Sequence, residues 1–594
     1  MFTTRPTLQG TFGMVSSTHW LASQSAMAVL EGGGNAFDAA VAAGFVLHVV
    51  EPHLNGPGGE VPILFAAAGD QGRVRVLCGQ GPAPAGAAVE HYRSLGLDLV
   101  PGTGPIAAAV PGAFDAWMVL LRDHGTKSLA EVLDYAIGYA ERGHPLVPGV
   151  TRTVEAVREL FESEWTSSAE LYLPAPQPGE LFRNPALAAT WRRLLAETAG
   201  LPREEAIDAA RRIWREGFIG EAMVDFAGRP TMDSSGRRNA STLTGDDLIG
   251  YKAEYEEPAR YDWNGWTVCK AGGWSQGPAF LQQLALLPQG LAYDAPEYLH
   301  TLIEGTKLAM ADREAWYGDA GEGGAAESVP LADLLSREYN DERRGLVGDT
   351  ASYELRPGSP GGRRPVLPEL PVEDAGSGPG LGEPTVSVGG LTTRQDGVTR
   401  GDTCHLDIVD RWGNMVAATP SGGWLQSNPV IPALGFPLGT RLQMTWLQPG
   451  LPNTLTPGRR PRTTLSPSLA LRDGEPVLAF GTPGGDQQDQ WSLHFFLAVA
   501  LGGLGLQAAI DAPNWHNDSF PSSFHPRTTE PGSVTVESRI GEAAVAELRR
   551  RGHLVTVADA WSEGRMCAVA RDPRTGVLSA AANPRGMQGY AVGR

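Results

Sequence analysis

In STHWLASQSAMAVLEGGGNAFDAAVAAGFVLHVVEP (residues 17–52) apolar positions recur at helical spacing on both sides of Gly32-Gly33-Gly34. Such a glycine run stops a helix, so two helices are predicted. Asn35 or Asp38 is placed to cap the second, whose many alanines permit close packing. Residues 53–80 switch to short apolar runs around GDQG, which predicts a hairpin. From about residue 115 to 345 the pattern is mostly helical, as in NPALAATWRRLLAETAG, except for the strand-like YDWNGWTVCKAGG. Residues 356–390 hold too much Pro and Gly for a helix or an interior strand, and predict a mobile surface linker. Immediately after it, GDTCHLDIVDRWGNMV (residues 401–416) predicts a strand from Thr403 to Asp410, a turn, and a second strand from Met415 to Thr419. Strands at TTLSPSLALRD and PVLAFGTPGG, a helix from about Trp491 to Leu501 and a last αβ passage complete the pattern, with no repeat of solenoid length.

With 594 residues the chain can hold several domains or one large multilayer core. A composition 42% hydrophobic and 19% charged is that of a globular protein. A net charge of −19 argues against nucleic acid or an anionic membrane as the main partner. Cys78, Cys269, Cys404 and Cys567 are far apart and form no CxxC pair, so neither a disulfide framework nor a structural zinc site is expected. The opening residues lack the basic and apolar regions of a secretory signal, and AAVAAGFVLHVV is too short to span a bilayer; a cytoplasmic enzyme is the expectation.

The loose segment ending at Asp402-Thr403 gives Thr403 a chemical meaning. Were that peptide bond broken, Thr403 would carry a hydroxyl and an α-amine on neighbouring carbons. An α-amine has an unperturbed pKa of about 7.7–8.0, so a sizeable fraction is neutral at cellular pH and able to take the hydroxyl proton. One residue then supplies both nucleophile and base. On this stretch alone, the plainer reading is an ordinary strand-edge threonine with Asp402 as a turn residue. Downstream, GTPGGDQQDQW places Gly484 and Gly485 between a strand and a helix, where backbone N–H groups can hold an oxyanion or simply make a turn. No GxxxxGK[ST] or HExxH occurs, so phosphate-loop and zincin chemistry are not expected; His405 and His494 read as structural. In PGRRPRTTLSPS, Thr463 and Thr464 offer paired hydroxyls on what is otherwise a basic turn.

Several stretches together resemble the γ-glutamyltransferases, a family of N-terminal-nucleophile enzymes made as a self-cutting precursor. GMVSSTHWLASQSAMAVLEGGGNAFDAAVAAGFVLHVVEPHLNGPGGE is similar to the family's opening block. GTGPIAAAVPGAFDAW, LTGDDLIGYKAEYEEP and LAMADREAWYGD are similar to its internal landmarks, and GDTCHLDIVDRWGNMV to its processing site. PRTTLSPS, GTPGG and AAANPRGMQGYAVG resemble the small-subunit loops and last strand. The resemblance implies an αββα four-layer sandwich (α/β class), cut between Asp402 and Thr403. The pieces would be a large subunit, 1–402, ending in a linker from about 350, and a small catalytic subunit, 403–594. The two fragments are expected to stay together as one αββα unit; the number of such pairs that assemble is left open. Thr403 is implied as processing residue and nucleophile, Ser421 as the hydroxyl that assists it, Gly484 and Gly485 as the oxyanion loop, and Thr463 and Thr464 as hydroxyls for a substrate carboxylate. The substrate would be a small-molecule amide, with no cofactor and no metal.

Two departures bear on that substrate. Where the family has an arginine for the α-carboxylate, QGPAPA carries Gln80; where it has acids for the α-ammonium, GTRLQMTW carries Arg441 and Met444. An ammonium beside Arg441 is repelled, and a carboxylate without its arginine loses a bidentate pair. The pocket is thus expected to favour an acidic or neutral acyl group, which resembles divergent members of the oxamate and cephalosporin acylase types. True γ-glutamyl transfer through another clamp, Cys404 as terminal nucleophile, and an uncleaved, non-catalytic binding protein are the rival expectations.

Overall fold

The computed structural model describes residues 2–293, 295–319, 329–370 and 403–594. Among them, two seven-stranded antiparallel sheets form the centre. The first runs, in spatial order, Tyr590–Gly593, Gly13–Ser17, Leu406–Asp410, Met415–Ala418, Val61–Ala66, Val74–Gly79, Glu254–Glu256. The second runs Leu8–Gly10, Leu578–Ala582, Cys567–Arg571, Glu475–Gly481, Ser468–Arg472, Trp266–Lys270, Ala259–Trp263.

Strand side chains alternate between faces, and here both faces of each sheet are apolar. Met14, Leu64, Val409, Met415 and Ala417 of the first sheet meet Cys269, Leu469, Ala479, Val569 and Ala580 of the second in one inter-sheet core. The alternate positions Val15, Ile63, Phe65, Ile408 and Val416 pack outward against the helices Ala36–Val50, Ala113–His124 and Leu129–Arg142. On the other side, Val268, Ala470, Leu478, Phe480 and Ala568 pack against Gly277–Leu286, Tyr298–Trp316 and Gln488–Ala500. The layers are therefore α, β, β, α, as the resemblance implied.

Locally the patterns translate well. The first two helices are Trp20–Glu31 and Ala36–Val50; Asn35 caps the second and Asp38 completes a capping box. The GDQG hairpin pairs Val61–Ala66 with Val74–Gly79, and YDWNGWTVCK forms the hairpin Ala259–Trp263 with Trp266–Lys270. The strand expected from Thr403 begins instead at Leu406, and Thr403 makes one isolated bridge with Ser421.

The Pro/Gly-rich segment departs from expectation in its first part. Gly358 N donates to Asp312 Oδ1 (2.7 Å), Trp316 Nε1 to Gly358 O (3.2 Å), and Arg363 pairs with Asp333 (2.6 Å). The backbone of Glu369 exchanges two hydrogen bonds with the Gln448 amide (2.7 and 2.6 Å). A segment without periodicity of its own is held by polar groups on its neighbours, which composition does not reveal. The rest of the expected linker, with Asp402, lies outside the described residues. No helix among the described residues is long and apolar enough to cross a membrane.

Candidate active site

Antiparallel order brings the start of Leu406–Asp410, the end of Met415–Ala418, the start of Val61–Ala66 and the end of Val74–Gly79 to one end of the first sheet. Thr403, Ser421, Glu60 and Gln80 follow or precede those strands, so all four belong to that end. The backbone fixes the first three: Cys404 N donates to Pro420 O (2.9 Å), Ser421 N to Glu60 O (3.0 Å) and Glu60 N to Ser421 O (2.9 Å). Thr403 and Ser421 are buried, with Thr403 Oγ1 3.2 Å from Ser421 Oγ.

Consecutive side chains then part. Cys404 turns to the helical layer, where its Sγ donates to Glu51 Oε2 (3.0 Å) and receives Asn55 Nδ2 (3.1 Å). Burial, with Glu51 beside it, pushes the Cys404 thiol well above its ordinary pKa and disfavours the thiolate there. His405 turns back between the sheets and bridges Thr419 Oγ1 (2.9 Å) and Asp407 Oδ1 (3.0 Å). Its ring lies against Gly481, the last residue of its strand; a Cβ there would sit 2.3 Å from His405 Cε1. This contact joins the Thr403 end of the first sheet to the strand that leads into Pro483-Gly484-Gly485.

Gly484 (φ +129°) and Gly485 (φ +53°) turn the chain into the helix Gln488–Ala500, and a Cβ on Gly484 would strike the Trp491 ring at 2.1 Å. A buried polar network holds this bend. Arg313 pairs with Asp486 and donates to Gln276 Oε1 (2.6 Å), while Gln276 Nε2 donates to Gly485 O (3.4 Å). Ser523 donates to both Asp486 oxygens, its N–H to Oδ2 (2.8 Å) and its Oγ to Oδ1 (2.6 Å), the oxygen that Arg313 also pairs with. Arg462 shares Glu314 with Arg313. The loop 463–466 ties to the same region: Gln276 N donates to Thr463 O (2.8 Å), and Ser466 Oγ to Asp489 Oδ1 (2.7 Å), which also pairs with buried Lys270 (2.8 Å). Thr463 and Thr464 are both buried, and Thr464 Oγ1 has no hydrogen-bond partner among the described residues. Gln80 is buried too and lines a cavity of about 1050 Å³ with Cys78, Val110, Asp319 and Arg460.

Arg441 is not the isolated positive charge that its sequence context suggested. Its Nε donates to Glu60 Oε1 (2.6 Å), its Nη2 to Ser421 Oγ (3.0 Å), and its Nη1 lies 3.1 Å from Met444 Sδ. The rings of Trp424 and Phe524 cover it at 5.0 and 5.9 Å. Sequence reasoning gave Glu60 no role, although a carboxylate in GPGGE just ahead of the buried strand Val61–Ala66 demands a partner. Among the described residues, His300, Glu304 and His553 also gather metal-type ligand atoms. There Glu304 is engaged by Lys307 (2.7 Å) and Arg356 (3.1 Å), and the two histidines bond each other (2.9 Å), an arrangement that suits a buried polar cluster.

The family model for Gamma-glutamyltranspeptidase matches residues 22–593. The chain belongs to that family. A solved structure titled LmbA2991HD is 71% identical, each chain covered over 100%, with a TM-score of 0.93. The glutathione hydrolase-like YwrD proenzyme of Bacillus subtilis (strain 168) is 30% identical over 98% of this chain and 99% of its own. The oxamate amidohydrolase proenzyme of Klebsiella pneumoniae subsp. pneumoniae is 30% identical over 98% of both. Membership makes the chain an enzyme of the gamma-glutamyltranspeptidase hydrolase and acyltransferase class.

Proposed function

We propose that this gamma-glutamyltranspeptidase-family chain cuts itself between Asp402 and Thr403 and then cleaves a small-molecule amide through an acyl-Thr403 intermediate. The observation that carries it is the buried contact of Thr403 Oγ1 with Ser421 Oγ at the start of a central strand. In the first event Thr403 Oγ1 bonds to the Asp402 carbonyl carbon, the C–N bond breaks, and the hydroxyl proton ends on the freed amine. Water then hydrolyses the ester, leaving residues 1–402 and 403–594 as separate chains. In turnover the α-amine takes the Thr403 proton as the oxygen attacks the substrate carbonyl, and passes it to the departing amine. Water or an acceptor amine releases the acyl group. Gly484 and Gly485 N–H groups serve the oxyanion, for which a fixed bend before a helix is suited. Thr463 and Thr464 receive the carboxylate end of the substrate, and a Thr464 hydroxyl with no partner among the described residues supports that role.

A non-glutamyl acyl group is the favoured substrate class. Arg441 stands where a glutamyl ammonium would need acids, and Glu60, the nearby carboxylate, is already paired with it. The oxamate amidohydrolase relative is consistent with a small acidic acyl group. The experiment is intact-mass analysis of wild type and Thr403→Ala, before and after incubation with oxamate, short dicarboxylic monoamides and γ-glutamyl-p-nitroanilide. Wild type should appear as two chains with a transient acyl adduct on the smaller, and Thr403→Ala as one inert chain. Two chains from Thr403→Ala remove Thr403 from both roles. Turnover of the glutamyl anilide alone rejects the non-glutamyl assignment.

A further inference from the structure

We infer that the Glu60–Arg441 pair is a positioning device that sets the direction and acidity of the Ser421–Thr403 hydroxyl pair. This rests on the Thr403 reading above and adds two residues to it. Arginine can only donate, so Arg441 Nη2 fixes Ser421 Oγ as the acceptor in their 3.0 Å bond. A hydroxyl that accepts from a cation becomes a better donor and a poorer second acceptor. Across the 3.2 Å contact, Ser421 is thereby the donor and Thr403 Oγ1 the acceptor. The Thr403 proton is then directed toward a base, and negative charge growing on Thr403 Oγ1 is met by Ser421 O–H with a guanidinium behind it.

The pair is built to hold this geometry. Arg441 and Glu60 are 1% and 4% exposed, Glu60 is fixed by its backbone exchange with Ser421, and Trp424 and Phe524 cover the guanidinium. Removing water makes the field of a charge this close to the reacting oxygen large. Glu60 offsets part of it. Each member of the pair therefore pushes the acidity of the hydroxyl pair in the opposite sense. Among the described residues, further titratable groups around this end of the sheet include Glu51 and Cys404 on the helical side with Arg565 acting on both, His405 and Asp407 between the sheets, and His525 next to Phe524.

The test follows self-cleavage of freshly translated full-length chain, pulse-labelled and chased across a pH series, on denaturing gels. Arg441→Gln, which can still donate to Ser421, should cleave on the order of tenfold more slowly near neutrality and need a higher pH, a tenfold change being one pKa unit. Glu60→Gln, which can still accept from Arg441, should shift the profile to lower pH. Arg441→Lys should restore the wild-type profile in part. Opposite shifts are the signature; slowing of both variants without opposed shifts means a merely structural pair and overturns the inference. If Arg441→Gln does not fold, as judged by melting, the direction of Glu60→Gln decides alone, and an unchanged or upward-shifted profile overturns it. Cleavage of a Thr403→Ala control, or a wild-type chain that never cleaves, instead defeats the reading of Thr403 itself.

Discussion

Cys404 Sγ donates to Glu51 Oε2 at 3.0 Å, on the opposite side of the strand entry from Thr403. Glu51 also accepts from Thr18 Oγ1 (2.7 Å) and Gln588, yet burial outweighs these bonds and raises its carboxyl pKa. Cys404→Ala would take one donor from a buried carboxylate, a loss of about 1–3 kcal/mol. The variant should melt earlier while the chain still cuts, and native wild type should resist thiol alkylation at Cys404. Rapid alkylation that abolishes activity, or a small fragment beginning at residue 404, would instead make Cys404 the nucleophile.

Gly484 occupies φ +129° with its Hα side facing Trp491, so a methyl group there meets both strain and a ring. Gly484→Ala should move the backbone N–H groups from where an oxyanion develops and lower kcat on the order of 10²-fold or more. The check is kcat and KM on a substrate found in the amide panel. Unchanged kcat in a folded variant would remove this bend from the chemistry.

Asp407 carries a pH signature. Burial pushes its carboxyl up to about 6, and His405 opposes the rise. An unfolded aspartate titrates near about 3.9. Between those values the folded chain holds a proton that the unfolded chain has lost. The associated stability is therefore complete below about 4 and disappears as pH rises through about 6, a change on the order of 3 kcal/mol. Asp407→Asn lacks this titration, so its melting temperature relative to wild type should climb between pH 4 and 7. A difference that stays constant over that range would show that Asp407 does not titrate as its burial dictates.

The sequence pattern carried the elements further than their assembly. Gly32-Gly33-Gly34, the Asn35 cap and the two hairpins were legible because turn chemistry and alternation are local. The four-layer order was not; both faces of the central strands are apolar, and alternation cannot say which face meets the other sheet. The resemblance implies roles for Thr403, Ser421, Gly484 and Gly485; the structure adds the hydroxyl contact between the first two and the packing of His405 on Gly481, ahead of the glycine bend. What the sequence concealed are pairs between distant charges. Glu60 and Arg441 stand 381 positions apart, and Arg313 and Asp486 stand 173 apart. Each is a charged residue in an otherwise buried stretch, a signal that a partner exists but not which one. Sequence context points Arg441 at substrate, whereas the anion it pairs with, Glu60, belongs to the protein.

The strand Leu406–Asp410 lies between Gly13–Ser17 and Met415–Ala418, and the final strand Tyr590–Gly593 caps the same sheet beside Gly13–Ser17. A scission at Thr403 leaves this weave intact but erases the covalent memory that made it easy to form. An intact precursor refolds as one molecule, at a rate indifferent to dilution. The matured pair, once unfolded, has to meet its other half in solution, so its recovery should fall with concentration while a Thr403→Ala chain recovers undiminished. Maturation in such a molecule gains a reactive terminus and forfeits the ability to repair itself alone.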